Sequence, residues 1–161
     1  NIYLVTVGGK DKRPMIQERE EGFFAALAQA GIRLPKENTL ECEGLHFHAA
    51  YEKALEFLKK SRKTAAMFVV NDEMAAGVLR AAIETGRSVP NDLSVIGFDN
   101  ILMSFYTVPP LTTISVAKEH MGRLAAERVL DMVENKDKAV KKELAPVELI
   151  GRSSCAKAAT H

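Results

Sequence analysis

The chain has 161 residues, 47% of them hydrophobic and 27% charged, enough to bury a real core within the size of one domain. Lys and Arg number 22 against 21 Asp and Glu, and a formal net charge of +1 excludes the global basic field of a nucleic-acid-binding domain. No apolar run approaches the ~18 residues needed to cross a bilayer. Cys42 and Cys155 lie too far apart for a disulfide framework or a finger-type zinc site, and read as reduced thiols of a cytoplasmic protein.

Residues 2–7 form a β-rich run closed by Gly8-Gly9. The chain opens directly on this strand with neither Met nor a basic leader, so its start does not resemble a signal peptide and it reads as a piece cut from something longer. Residues 17–30 carry Phe23, Phe24, Leu27 and Ala28 at helical spacing before Gly31 stops them. The pattern recurs with a short strand at 39–42 and a helix at 49–60 whose one face holds Tyr51, Ala54, Leu55 and Leu58. A buried strand at 65–70, a helix at 73–85 ended by Gly86 and a buried strand at 93–97 follow. Strands alternating with helices of this length predict an α/β fold: an open parallel sheet, wound right-handed, with helices on both faces.

The last third differs. Val108-Pro109-Pro110-Leu111 breaks regular structure before a short extended piece at 112–116 and a long amphipathic helix at 118–134. The charged stretch 135–142 lacks interleaved aromatic residues and reads as a solvated connector rather than a nucleic-acid contact. A final strand is expected at 144–150, and 156–161 as a tail.

If the first four strands lie in one parallel sheet, the loops after them open on the same edge, where such sheets hold small polar ligands. Those loops contain residues 10–19, 44–48, Asn71-Asp72 and Asp99-Asn100. Arg19 stands near the start of its helix, where the positive end of the macrodipole disfavours a cation and favours Glu18, Glu20 and Glu21. A guanidinium fork aimed at paired hydroxyls or a carboxylate supplies a reason for it; a plain surface arginine is the alternative. Asn71 could contact a ligand or close a turn, while Asp72 is expected to cap the following helix. Asp99, an acceptor-only carboxylate after an apolar strand, suits hydroxyl or amino groups, or bonds its own turn.

Signatures of chemistry are sparse. His46 and His48 near Cys42 and Glu43 raise the question of a metal, but helical metal sites favour His at i and i+4, and none is expected. Gly8-Gly9-Lys10-Asp11-Lys12 lacks the spacing and Lys-Ser/Thr ending of a phosphate loop and the third glycine of a dinucleotide fingerprint. No Gly-x-Ser-x-Gly elbow occurs. Neither an enzyme nor a cofactor is expected.

Five stretches, in order, resemble the lactose-repressor/galactose-repressor (LacI/GalR) family over essentially the whole chain. They are Arg19-Glu20-Glu21-Gly22-Phe23; Val70-Asn71-Asp72-Glu73-Met74-Ala75-Ala76-Gly77; Val89-Pro90-Asn91-Asp92-Leu93-Ser94-Val95-Ile96-Gly97-Phe98-Asp99-Asn100; Pro110-Leu111-Thr112-Thr113-Ile114; and Leu149-Ile150-Gly151-Arg152-Ser153-Ser154. The resemblance implies the C-terminal part of the effector-binding region, one lobe of a periplasmic-binding-protein-like fold. It further implies a homodimer, a sugar-like small-molecule effector, no membrane, and operator DNA reached only through an N-terminal helix-turn-helix that this chain lacks. It matches Arg19, Asn71 and Asp99 to effector contacts. It also divides the chain, with 1–110 and 143–155 in the C-terminal subdomain and 111–142 as a strand and helix of the other lobe. The helix 118–134 is then expected to cover its stripe against a second copy or its own sheet. Two positions depart from the family pattern: Leu45 stands where an aromatic residue commonly stacks on a sugar, near Phe47, and Val116 where a polar residue is common. They imply an effector smaller or less sugar-like than usual. A solute-binding protein of a sugar importer shares this fold and is the competing reading.

Overall fold

A computed structural model describes residues 1–9, 12–61, 63–134 and 143–157. The connector expected at 135–142, residues 10 and 11 of the first loop, and 158–161 of the tail lie outside the described residues.

Six strands form one sheet in the order β2-β1-β3-β4-β5-β6. β1 (Ile2–Val7), β2 (Thr39–Cys42), β3 (Ala65–Val69), β4 (Leu93–Phe98) and β5 (Thr112–Val116) run parallel; β6 (Val147–Ile150) is antiparallel on β5. β1 is central, pairing Val5 with Leu40 on one side and Val69 on the other, and Tyr3 to Val7 are buried throughout. A strand covered on both faces has no need of alternation, which is why this run is apolar almost without a break.

The helices are α1 (Pro14–Gln29), α2 (Phe47–Lys60), α3 (Asp72–Glu84), the short α4 (Leu102–Tyr106) and α5 (Lys118–Glu134). The chain steps from β1 to β2 in one direction and from β2 through β3 to β4 in the other. Right-handed crossovers therefore set α1 on the opposite face from α2 and α3, and place a topological switch point between β1 and β3. Burial agrees: in β3 Ala65, Met67 and Val69 are buried while Ala66 and Phe68 are half-buried, and β4 repeats the alternation with Leu93, Val95 and Gly97 inside.

α2 and α3 approach closely because Gly77 has no side chain. A Cβ there would stand 2.3 Å from the Phe47 carbonyl oxygen and 2.9 Å from the Tyr51 nitrogen. Beneath them lie Ala50, Ala54, Leu58, Met74, Val78 and Leu79, all at most 2% exposed.

Several boundaries differ from expectation for local reasons. α1 begins three residues early, since Pro14 in the first turn carries a helix-ready φ and needs no amide partner. Arg19 is therefore well inside the helix rather than at its mouth. α4 forms just before the break at 108–111, in a stretch for which no element was predicted. The last strand is shorter than 144–150. β5 is hydrogen-bonded into the same sheet as β1–β4 and carries β6 on its outer edge. α5 buries none of its residues, so its apolar stripe does not fold back onto the sheet.

Candidate functional site

Arg19 reaches from α1 across the switch point. Its guanidinium donates to both carboxylate oxygens of Asp99, at 2.6 and 3.2 Å, and to the carbonyl of Val70, at 2.6 Å. Its Cζ lies 4.0 Å from the centre of the Phe98 ring, a cation–π contact. One side chain thus joins α1 to the ends of β3 and β4. The ion pair is largely desolvated, with side-chain exposures of 10% for Arg19 and 26% for Asp99, so it is stronger than a surface pair.

Asp99 adopts φ 106° and Asn100 φ 46°, in the region L-residues rarely enter. Such a turn persists only where its surroundings over-determine it. Here the Asp99 amide donates to the Ile114 carbonyl, the Asn100 amide to Thr113 Oγ1, and Arg152 and Lys118 hold the Asn100 side-chain and main-chain oxygens. The turn keeps the Asp99 carboxylate on Arg19.

The cap expected of Asp72 falls to Asn71. Asn71 Oδ1 accepts from the Met74 amide at 2.7 Å and caps α3, while its Nδ2 donates to the Leu45 carbonyl at 3.2 Å. Asp72 is 1% exposed and accepts from Thr113 Oγ1 and the Ile101 amide, tying α3 to β5 and α4. Burial pushes its carboxyl above the ordinary 3.8, against the pull of those two hydrogen bonds. Both side chains could cap a helix; only the position of Thr113 and Ile101 decides which one does.

A cavity of about 590 Å³ opens beside Arg19. Phe23, Phe68 and Phe98 line it together with Met15, Val116 and Met121. Phe23 and Phe68 stack with ring centres 5.0 Å apart and planes 10° from parallel. Of the sequence-predicted residues, Arg19 lines this cavity and Asp99 grips Arg19 at its edge. Asn71 follows Val70, whose carbonyl Arg19 also holds. Leu45 lies elsewhere, half-buried against the core with its carbonyl taken by Asn71, and is not a lining residue. The phenylalanines were missed. Their signal was present in the period-2 alternation, since Phe68 and Phe98 occupy strand positions opposite in phase to Met67, Val69 and Val95.

A second hollow of about 450 Å³ beyond β2 is lined by Glu41, Glu43, His46, His48 and Glu52 and shares no residue with the first. His46 is occupied as the cap of α2, accepting from the Ala49 amide. Among the described residues no group of three or more His, Cys, Asp or Glu is placed to hold a metal ion. Cys42, buried at the end of β2, has its thiol pushed up to about 11 by desolvation, which makes it an unreactive group. No helix of the described residues is long and apolar enough to cross a membrane.

Residues 1–155 match the model of the periplasmic binding protein-like domain. The chain is 32% identical to the HTH-type transcriptional repressor PurR of Glaesserella parasuis, covering 94% of this chain and 46% of the relative. It is 34% identical to the PurR of Aliivibrio fischeri strain MJ11 over 96% of this chain and 46% of that one, so it spans about half the length of these relatives. Among solved structures, a LacI family transcriptional regulator from Enterococcus faecium with bound ribose superposes with a TM-score of 0.83 at 33% identity, over 96% of this chain and 56% of that one. The lac repressor dimer bound to operator and an anti-inducer superposes at 0.82 with 29% identity, over 96% and 52%. With an open α/β sheet of this order and these matches along nearly its whole length, the chain belongs to the periplasmic-binding-protein-like domain family and, within it, to the LacI/GalR effector-binding regions.

Proposed function

We propose that this chain is the effector-sensing part of a cytoplasmic LacI-family transcriptional regulator, taking a sugar or related small metabolite in the cavity beside Arg19. The observation that carries the reading is the Arg19 fork, which joins α1, β3 and β4 at the switch point and borders the 590 Å³ cavity. Arg19, Asp99 and Asn71 are its proposed contacts, Asn71 through the amide hydrogen and oxygen lone pair that capping leaves over. The curated relatives it matches are named repressors, which supports a regulator over the importer's binding protein and over an enzyme.

In the whole protein, a second lobe would close the cavity from above and cover the exposed stripe of α5, where Val129, Leu130 and Val133 are each more than half exposed. Residues 111–142 would be shared with that lobe. The dimer would form on α4, where Leu102, Phe105 and Tyr106 are 75%, 61% and 69% exposed. Operator DNA would be held by a helix-turn-helix outside this chain. Effector would act by its differential affinity for dimer geometries that fit or miss the operator half-sites. A chain with one lobe would bind effector weakly, for lack of half the contacts.

A thermal-shift screen of neutral sugars, sugar phosphates and nucleobases, run on the protein and on Arg19→Ala and Asp99→Ala, tests the site. A ligand should raise the melting temperature of the parent and much less that of the variants. Equal shifts in all three proteins would overturn it.

A further inference from the structure

Resting on the Arg19 site and the α4 dimer proposed above, we infer that Arg152 is a positioning residue that makes the Asp99–Asn100 turn and the apolar face of α4 one rigid unit. The state of the Arg19–Asp99 pair is thereby felt at the surface where a second copy of the chain would dock.

The connection is short. Asn100 and Ile101 are the residues between Asp99 and the start of α4. Both are pinned, Asn100 through its amide on Thr113 Oγ1 and Ile101 through its amide on Asp72 Oδ2 at 2.9 Å. A shift of the Asp99 carboxylate finds little slack before it reaches the helix.

α4 lacks the usual footing. A surface helix is ordinarily placed by an apolar stripe turned toward the core, whereas Leu102, Met103, Phe105 and Tyr106 are all exposed and it is Ser104, 1% exposed, that α4 buries. Ser104 is held by polar bonds. Its hydroxyl donates to the Ile101 carbonyl at 2.6 Å and accepts from Arg152 at 3.1 Å, and its carbonyl accepts from the Leu111 amide at 2.9 Å. Apolar contacts can slide, but hydrogen bonds are lost within about an ångström of displacement.

Arg152 grips both ends of this connection. One terminal nitrogen donates to Asn100 Oδ1 at 2.8 Å, and the other to Ser104 Oγ and, at 2.6 Å, to the Leu111 carbonyl. The guanidinium is planar, so one prong cannot follow the turn while the other stays on the helix. Its base is fixed on the sheet, since the Arg152 amide donates to Thr112 Oγ1 at 3.0 Å and the Ser153 amide to the Pro110 carbonyl at 3.1 Å. Turn and helix therefore move together or come apart. By linkage, whatever factor the site imposes on docking, docking imposes on the site.

Amide hydrogen exchange and sedimentation equilibrium of the chain, Arg19→Ala, Arg152→Met and the double variant form a cycle that tests this. Arg19→Ala, a change on α1, should speed exchange of the hydrogen-bonded Ser104 and Thr107 amides roughly five-fold or more, and weaken dimer formation. Arg152→Met should speed the same amides by itself, and in its background Arg19→Ala should add nothing there. Amides of α2, the reference, should change less than those of α4, which separates positioning from general loss of stability. Arg152→Lys keeps the charge without the planar fork and should fall between parent and Arg152→Met; it replaces that variant in the cycle if the latter does not fold. Exchange in α4 unmoved by Arg19→Ala, or effects of the two substitutions that simply add, would overturn the inference whether or not the chain dimerises. A parent that is monomeric at every concentration yet shows the coupled exchange would overturn the α4 dimer and leave the positioning role of Arg152 standing. No effector enters the cycle, so failure of the Arg19 site in the thermal-shift screen is read separately.

Discussion

Arg19 and Asp99, separated by 80 positions in the chain, close a two-pronged ion pair at 2.6 and 3.2 Å, and the carboxylate that makes it sits on a residue at φ 106°. Attraction and backbone strain meet at Asp99 and can be separated by substitution. Asp99→Ala removes the carboxylate and keeps the strain; Asp99→Gly removes both. The alanine variant should lose about 2–3 kcal/mol of unfolding free energy by leaving Arg19 unpaired, and the glycine variant about 1 kcal/mol less. Urea denaturation of the three proteins checks it, and equal losses for Ala and Gly would show that the turn is unstrained.

Asp72 predicts a pH dependence of definite sign. Its folded carboxyl is raised above 3.8 by burial, so the folded chain holds this proton more tightly than the unfolded chain does. Its contribution to stability is fully present below 3.8 and is lost as pH rises through the raised folded value. Asp72→Asn retains the bond from Thr113 and cannot titrate. The stability of the parent relative to Asp72→Asn should decline from acid toward neutral pH in equilibrium unfolding, and a rise would contradict the assignment.

Gly77→Ala sets helix propensity against a close approach. Alanine is better in a helix by about 1 kcal/mol, yet its Cβ would meet the Phe47 carbonyl at 2.3 Å. Backbone cannot rotate away as a side chain can, so α2 must move. The variant should be destabilised by about 1–3 kcal/mol net, read from its denaturation midpoint. A more stable variant would mean that the two helices separate freely.

Arg87 offers a control, a buried arginine with no part in the site. It donates to the carbonyls of Ser61, Lys63 and Asp92 and is 6% exposed. Arg87→Leu takes this donor from the Ser61 and Lys63 carbonyls, while that of Asp92 keeps the Ala65 amide, and should cost about 2–4 kcal/mol. At a temperature where the variant remains folded, its affinity for any ligand of the Arg19 cavity should match the parent's. Lost affinity in the folded variant would show coupling between the two regions.

The α4 surface bears on assembly. Phe105→Asp puts a charge into the exposed group with Leu102 and Tyr106, where the Phe105 ring is 61% exposed and meets Tyr106 edge-on. The variant should keep the parent's unfolding midpoint at low concentration and shift sedimentation toward monomer. An unchanged dimer would place that interface elsewhere.

The succession of strand and helix was legible because it rests on short-range causes: period-2 and period-3.6 patterning, glycine at helix ends, and proline where regular structure breaks. Arg19 could be singled out only on the premise of a later helix start, which Pro14 removes, and Asp99 only as a carboxylate after an apolar strand that could equally have bonded its own turn. Tertiary structure decided what those residues do. Strand order brought positions 19 and 99 together, so an arginine that in isolation could have met an anionic ligand is answered within the protein. It also gave the cap of α3 to Asn71 and the buried bond to Thr113 to Asp72, a choice between neighbours that no local rule distinguishes. Periodicity can say which face of a strand a phenylalanine occupies. Only the packing of α1 over β3 and β4 gathers Phe23, Phe68 and Phe98 into one wall, because contacts between distant segments follow from sheet order and crossover handedness rather than from the residues beside them.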